Sequence, residues 1–215
     1  MHKRLITIAA TLWLGVLGFA PSASAQLAGR SAEEWIRTLD APTRIASLKV
    51  PETITALKLK PGQVVADIGA GSGIFSLPLA RAVKPGGSVY AVDIDKELVD
   101  HVTEAATEQG LTNVQGVVGE ATDPNMPDNV DVAFINDVLH HIENRALYLK
   151  NLAEYLKPGG RIAVIEFLPE QSPHKADPTL VVSEAQTTGW MTAAGLKVVE
   201  KVNLFTDKYF VIYGK

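Results

Sequence analysis

Residues 64–73 read VVADIGAGSG, an apolar run that passes directly into three closely spaced glycines. The run is typical of a strand buried on both faces, and the apolar segment that follows the glycines is expected to become a helix. Glycine tolerates positive φ angles and allows close approach of a ligand to the backbone. The stretch therefore predicts a strand that ends in a binding loop.

The spacing of these glycines indicates which classes of ligand the loop could bind. Gly69, Gly71 and Gly73 form G-x-G-x-G, whereas a dinucleotide-binding turn has G-x-G-x-x-G and would require glycine or alanine at Ile74. The chain also lacks the G-x-x-x-x-G-K-[ST] sequence of a phosphate-binding P-loop. A nicotinamide-dependent oxidoreductase is therefore the less favoured alternative.

Apolar runs and helical patterns alternate on the C-terminal side of this loop, which predicts a parallel sheet covered by helices on both faces. The predicted strands are 64–68, 88–93, 114–118, 130–136 and 161–167, and the predicted helices include 96–109, 145–155 and 183–194. Residues 197–204 and 208–213 predict a closing antiparallel hairpin. Pro78 indicates that the helix after the glycine loop either begins near Ser76 or is kinked.

A second motif follows at the end of the second predicted strand. Asp93 stands 20 residues after Gly73, where a carboxylate can accept hydrogen bonds from both hydroxyls of a ribose. The alternative role is a helix cap, since Asp93 and Asp95 both precede the helical pattern. We expect Asp95 to be the cap and Asp93 the ligand.

These motifs resemble those of class I S-adenosylmethionine-dependent methyltransferases of the small-molecule type. The resemblance rests on ADIGAGSG at 66–73, YAVD at 90–93 and LKPGG at 156–160, and extends from about Lys60 to the C-terminus. It implies a Rossmann-like three-layer α/β sandwich. Its seven-stranded, mostly parallel sheet would have the order 3-2-1-4-5-7-6, with strand 7 antiparallel.

The resemblance also implies S-adenosylmethionine as cofactor and assigns residues to its parts. The glycine loop and Asp67 would hold the methionine part, Asp93 the ribose, and Ile94 would lie against the adenine. Glu120 would reach the adenine amino group, although aspartate is more usual there. The full set of candidate cofactor-binding residues is Asp67, Gly69, Gly71, Gly73, Asp93, Ile94, Glu120, Ala121 and Asn136.

The loop after the fourth strand is expected to border the methyl acceptor. Asn136 and Asp137 offer polar side chains there, and His140 or His141 could accept a proton near neutral pH. These two histidines are the candidate catalytic residues. The alternative is that one histidine packs beneath the next helix, which Glu143 or Asn144 would cap.

Metal and nucleic-acid chemistry are both disfavoured. The chain has no cysteine, and it carries 20 Lys and Arg against 24 Asp and Glu without an extended basic run. His140 and His141 are adjacent rather than four residues apart, and His174 lies in a polar, proline-rich loop. We therefore predict no metal site and no nucleic-acid partner.

The N-terminus predicts a secretory signal peptide over residues 1–25. A short basic segment precedes an apolar stretch at 5–20, and ASA at 23–25 predicts cleavage after Ala25. An uncleaved anchor is the alternative, but 16 apolar residues fall short of the roughly 20 that span a bilayer. The mature protein is thus expected to be periplasmic or secreted, without stable membrane insertion.

The remaining chain divides into a flank and a domain. Residues 26–58 predict a helical flank or lid that begins with a capping box at Ser31 and is broken by Pro42 and Pro51. Residues 59–215 predict the methyltransferase domain. The flank and the segment 169–178 are expected to cover the acceptor.

The predicted function is methyl transfer to a small-molecule acceptor. The sequence EFLP at 166–169 is similar to that of small-molecule and quinone methyltransferases, although Glu166 could simply be a buried acid at the strand end. The Asn-Pro-Pro-[Tyr/Phe] motif of methyltransferases that modify amino groups of nucleobases or glutamine is absent after the fourth strand. A non-catalytic S-adenosylmethionine-binding protein is the main alternative.

Overall fold

The computed structural model describes residues 30–215, so the predicted signal peptide lies outside the described residues. Three short helices come first: α1 (Ala32–Leu39), α2 (Pro42–Leu48) and α3 (Val50–Ala56). Ser31 caps α1 through the predicted capping box, because its hydroxyl accepts a hydrogen bond from the Glu34 amide and the Glu34 carboxylate accepts one from the Ser31 amide. Pro42 and Pro51 each stand in the first turn of a new helix, where a missing amide hydrogen breaks no helical bond.

The rest of the chain builds one seven-stranded sheet covered by helices. Its strands are β1 (Val64–Ile68), β2 (Ser88–Asp93), β3 (Val114–Val118), β4 (Val130–Asn136), β5 (Leu156–Phe167), β6 (Lys197–Lys201) and β7 (Lys208–Gly214). The helices are α4 (Ser76–Ala82), α5 (Lys96–Glu108), α6 (Arg145–Glu154) and α7 (Glu184–Ala193). The strand order is 3-2-1-4-5-7-6, and β7 runs antiparallel to β5 and β6, which confirms the predicted topology.

Element boundaries differ from the predictions at a few places. β5 begins at Leu156 rather than Arg161, since Leu156 already pairs with Val130 of β4. β6 ends at Lys201, a little before the predicted 204. Helix α4 begins at Ser76, so Pro78 is its third residue, where an amide has no partner within the helix.

Side chains of the central strand β4 alternate between two apolar layers. Ile135 packs on one face with apolar residues of α6 and α7. Phe134 packs on the other face, with its ring centroid 4.9 Å from that of Phe75. Leu48 and Leu57 of the N-terminal flank belong to this second layer and are almost fully buried. The flank is therefore packed on the sheet.

Within residues 30–215, none of the helices combines the length and the apolar character that a membrane span requires.

Candidate cofactor and acceptor site

The glycine loop turns sharply at the carboxyl end of β1. Gly69, Gly71 and Gly73 have φ angles of 70°, 56° and 85°, all in the region that favours glycine. The amides of Gly69 and Ala70 both donate to the Val92 carbonyl, at 2.8 and 2.9 Å. The loop is thereby fixed to the end of the neighbouring strand β2.

Two of these glycines also lie too close to other chain segments for a side chain. A Cβ at Gly69 would lie 2.4 Å from Cγ2 of Val138, and one at Gly71 would lie 2.8 Å from Cδ1 of Leu39. Val138 follows β4, whereas Leu39 ends helix α1. The loop is thus enclosed between the segment after β4 and the N-terminal flank.

Asp93 lies beside the same loop. Its Oδ2 accepts a hydrogen bond from the Gly71 amide at 3.0 Å, and its Oδ1 accepts one from the Asp95 amide at 3.1 Å. Burial raises the pKa of Asp93, although these backbone bonds oppose the rise. Asp95 caps α5 by accepting from the Glu97 amide at 2.8 Å, which confirms its predicted role.

Asp67 lies beneath the loop, inside β1. Only 3% of its surface is exposed, and its Oδ2 accepts a hydrogen bond from the Ser76 hydroxyl at 2.6 Å. Burial raises the pKa of Asp67 to about 7, and the neighbouring charge of Asp93 adds to that effect. A cation placed nearby would favour the ionised carboxylate.

A cavity opens at this edge of the sheet, where the glycine loop, the end of β2 and the segment after β4 meet. Six acidic residues line it, and Arg44 is the one arginine or lysine among the described residues that do so. The acidic lining residues are Asp67, Asp93, Asp95, Glu120, Asp137 and Glu143. This lining suits a cationic ligand and would repel a pyrophosphate, so it favours a sulfonium compound over a dinucleotide.

Most of the predicted site residues line the cavity. Those that do are Asp67, Gly69, Gly71, Asp93, Ile94, Glu120, Ala121, Asn136 and His141. Gly73 and His140 are not among the lining residues: the Gly73 amide closes the turn by donating to the Ala70 carbonyl at 2.9 Å, and His140 is buried behind His141. The individual ligand roles remain predictions.

The two candidate catalytic histidines have different surroundings. Nδ1 of His140 lies 2.8 Å from Oε2 of Glu166, and both side chains are at least 95% buried. His141 reaches the cavity, and burial together with the neighbouring His140 and His174 lowers its pKa to about 4. His141 is therefore neutral near pH 7 and is a weak base, whereas His140 is held by Glu166 and does not line the cavity.

The sequence argument did not identify an ion pair below the cavity. Nζ of Lys208 lies 2.5 Å from Oδ2 of Asp137, which has an unusual positive φ of 54°. Burial raises the pKa of Asp137, while Lys208 opposes the rise. Lys208 lies 71 residues away in β7, so no local pattern could have paired it with Asp137.

The N-terminal flank also contributes to the lining. Trp35, Leu39 and Arg44 line the cavity from α1 and α2, and Nη1 of Arg44 donates to the Leu39 carbonyl at 3.1 Å. The segment 169–178 contributes none of the described lining residues. Of the two predicted covers, it is the flank that borders the cavity.

Comparison with known proteins agrees with this geometry. Residues 66–164 match the methyltransferase domain family. A demethylmenaquinone methyltransferase from Geobacillus sp. is 28% identical over 116 residues, which are 54% of this chain and 50% of the relative. A ubiquinone/menaquinone biosynthesis C-methyltransferase, UbiE, from Ectopseudomonas mendocina is 33% identical over 117 residues, 54% of this chain and 46% of the relative. The chain thus spans about half the length of these curated relatives.

A solved structure extends the similarity to most of the chain. The crystal structure of a SAM-dependent methyltransferase from Aquifex aeolicus superposes with a TM-score of 0.77 and 27% identity. The match covers 86% of this chain and 98% of that one. Residues 66–164 thus match a methyltransferase domain, and most of the chain shares the fold of an S-adenosylmethionine-dependent methyltransferase. These similarities support S-adenosylmethionine as the cofactor.

Proposed function

We propose that this protein transfers a methyl group from S-adenosylmethionine to a small, largely apolar acceptor. The observation that carries the proposal is the mixed lining of one cavity, which has an acidic group of residues around the glycine loop and apolar side chains beside it. The apolar lining residues include Trp35, Leu39, Phe75, Val138 and Ile142. When bound, the cofactor supplies an electrophilic methyl group.

The acidic residues carry the cofactor half of the proposal. Asp93 is already held by the Gly71 and Asp95 amides, so its carboxylate is oriented before a ligand arrives. Its two oxygens retain lone pairs that can accept from ribose hydroxyls. Asp67 is buried under the loop, where a nearby ammonium or sulfonium would stabilise its charge.

The acceptor half rests on the flank and on the segment after β4. Trp35 and Leu39 come from α1, while Val138 and Ile142 come from the other side of the glycine loop. An apolar surface of this kind suits a flat or aliphatic molecule and excludes water from the reacting atoms. The names of the quinone-biosynthesis relatives support a quinone-like acceptor, and the name C-methyltransferase supports methylation on carbon.

His141 is the basic side chain that we assign to the acceptor. It lines the cavity, and its ring is neutral at neutral pH because its pKa is lowered to about 4. Such a weak base accepts a hydrogen bond more readily than it removes a proton. We therefore assign most of the rate acceleration to proximity and to a water-poor pocket, and only a small part to base catalysis.

Export is part of the proposal. The basic, apolar and small-residue segments of 1–25 support a cleaved signal peptide, with the enzyme acting outside the cytoplasm. Cell fractionation followed by sequencing of the mature N-terminus tests it. We expect a protein that begins at Gln26; a cytoplasmic protein that begins at Met1 would contradict export.

Transfer of labelled methyl from S-adenosylmethionine tests the enzymatic proposal. The acceptor panel contains reduced quinones, simple phenols and polar amines, and Asp93→Ala is compared with Asp100→Ala, which removes an exposed acid from α5. We expect label in the aromatic acceptors, a loss of at least about tenfold with Asp93→Ala, and no change with Asp100→Ala. Binding of the cofactor without transfer to any acceptor would instead indicate a binding protein.

A further inference from the structure

Three histidines from two distant segments meet beside the cavity. His140 and His141 lie on the 3₁₀ turn Leu139–His141, and His174 lies on the loop between β5 and α7. The ring centroid of His140 lies 4.1 Å from that of His141 and 5.0 Å from that of His174. One ring nitrogen from each residue lies within 4.8 Å of the other two.

Glu166 orients the most buried of these rings. Its Oε2 lies 2.8 Å from Nδ1 of His140 and also accepts the His140 amide at 3.2 Å, while its Oε1 accepts the Phe167 amide at 2.9 Å. A carboxylate in this position favours the tautomer with hydrogen on Nδ1, in which Nε2 has a lone pair. A histidine that donates its other nitrogen to a carboxylate is the usual arrangement of a metal ligand.

The second ring has an unsatisfied nitrogen. Nδ1 of His141 is buried and has no hydrogen-bond partner within residues 30–215. A buried polar atom without a partner costs about 1–3 kcal/mol. An ion coordinated by this nitrogen would satisfy it.

The side chain of Arg145 holds the two segments against each other. Nη2 of Arg145 donates to the carbonyls of His140 and Thr179, both at 2.7 Å, so one guanidinium joins the 3₁₀ turn to the loop that carries His174. The His174 amide donates to the Ser172 hydroxyl at 3.1 Å, and the Asp177 amide donates to the His174 carbonyl at 2.8 Å. The third ring is therefore presented by a hydrogen-bonded loop.

The geometry points to a site for one divalent transition-metal ion of the zinc class, held by His140, His141 and His174. Three imidazoles suit zinc and its neighbours, whose bonds to nitrogen measure about 2.0–2.1 Å. Tetrahedral ligation at these bond lengths places ligand nitrogens about 3.4 Å apart. A pair of nitrogens 4.8 Å apart would therefore have to approach each other by about 1.4 Å. The fourth position would face the cavity that His141 lines.

This inference departs from the sequence-based prediction of no metal site. That prediction rests on the adjacency of His140 and His141, because ligand pairs on a metal-binding helix are four residues apart. The third ligand comes from a loop after β5, and the sheet topology brings it to the end of β4. The inference shares His141 with the proposed acceptor site, but none of its observations depends on methyl transfer.

Cobalt(II) alone, added to metal-free protein purified without a histidine tag, tests the site through its visible absorption. Competition with zinc(II) then gives the zinc affinity. The variants are His174→Ala and His141→Ala, with His101→Ala on α5 as the matched control. We expect one cobalt per chain with the intense bands of a four-coordinate ion, a loss of affinity of at least about tenfold in each cluster variant, and no change in the control.

Thermal melting establishes that each variant is folded, and His174→Gln replaces His174→Ala if the latter is not. The inference is overturned if the wild-type protein binds no stoichiometric cobalt. It is also overturned if the cluster variants retain the wild-type affinity, or if His101→Ala lowers the affinity as much as they do. S-adenosylmethionine binding, measured on the same samples, reports on the proposed function separately.

Discussion

Lys208 and Asp137 form a buried ion pair that joins strand β7 to the segment after β4. Their side chains are 2% and 9% exposed, and Nζ lies 2.5 Å from Oδ2. Asp137 lines the cavity and has a backbone conformation that a residue with a Cβ adopts only at a cost. The pair therefore compensates a strained residue at the position where the acceptor is expected.

Replacement of Lys208 by methionine should destabilise the protein strongly. Asp137 would be left as a buried carboxylate without its partner, which costs about 3–5 kcal/mol. The loss should shrink as the pH falls from 7 towards 4, because protonation of Asp137 then becomes easier. Urea unfolding measures both effects. The double variant Lys208→Met, Asp137→Asn should recover part of the loss, and a single variant within about 1 kcal/mol of wild type would contradict this account.

Gly69→Ala and Gly110→Ala separate steric clash from backbone strain. Both glycines have φ near 70°, so alanine in the left-handed conformation should lower the free energy of unfolding of both variants by about 1–2 kcal/mol. A Cβ at Gly69 would also collide with Val138, whereas one at Gly110 would meet no atom within 4 Å. We expect Gly69→Ala to lose about 1–3 kcal/mol more on urea unfolding and to bind S-adenosylmethionine more weakly. Equal losses and equal affinities would show that the contact with Val138 is unimportant.

Asp67 should make stability depend on pH in an unusual direction. Its folded pKa of about 7 lies above the ordinary aspartate value of 3.8, so the unfolded chain releases this proton at a lower pH. The contribution of Asp67 to the free energy of unfolding is fully present below pH 4 and is lost as the pH rises through 7. The loss is of the order of 4 kcal/mol. Asp67→Asn keeps an acceptor for Ser76 and should remove this component. The free energy of unfolding of both proteins is measured between pH 4 and pH 8. The stability of Asp67→Asn relative to wild type should increase as the pH rises. Parallel pH curves for the two proteins would contradict the raised pKa of Asp67.

Cofactor binding should release a proton from the same group. The cationic cofactor favours the ionised carboxylate, so its arrival near pH 6.5 should lower the pKa of Asp67. Calorimetry in buffers with different ionisation enthalpies counts the protons. The release should be smaller in Asp67→Asn, and an identical count in both proteins would place the cofactor charge elsewhere.

The sheet could be predicted from the sequence because its signals are local. The runs 64–68, 88–93, 114–118 and 130–136 are bounded by glycine, proline and polar residues, and each is observed as a strand with those bounds. The caps at Ser31 and Asp95 are likewise patterns within a few residues. Such features depend on neighbours along the chain rather than on the fold.

The remaining features depend on distant contacts. Lys208 reaches Asp137 across 71 residues, and Glu166 reaches His140 across 26. His174 lies in the segment 169–178, which the sequence predicts as a cover for the acceptor, and its approach to the other histidines could not be read from spacing. Leu39 likewise meets the glycine loop only because the flank packs back onto the sheet.

Calorimetric titration of S-adenosylmethionine tests the central claim, that the Gly69–Gly73 loop and Asp93 form its binding site. The account predicts one cofactor per chain and no binding of NAD. It also predicts an affinity at least about tenfold lower in folded Asp93→Ala, with Asp93→Asn between it and wild type and Asp100→Ala unchanged. A protein that fails to bind S-adenosylmethionine, or a folded Asp93→Ala variant with wild-type affinity, would contradict it.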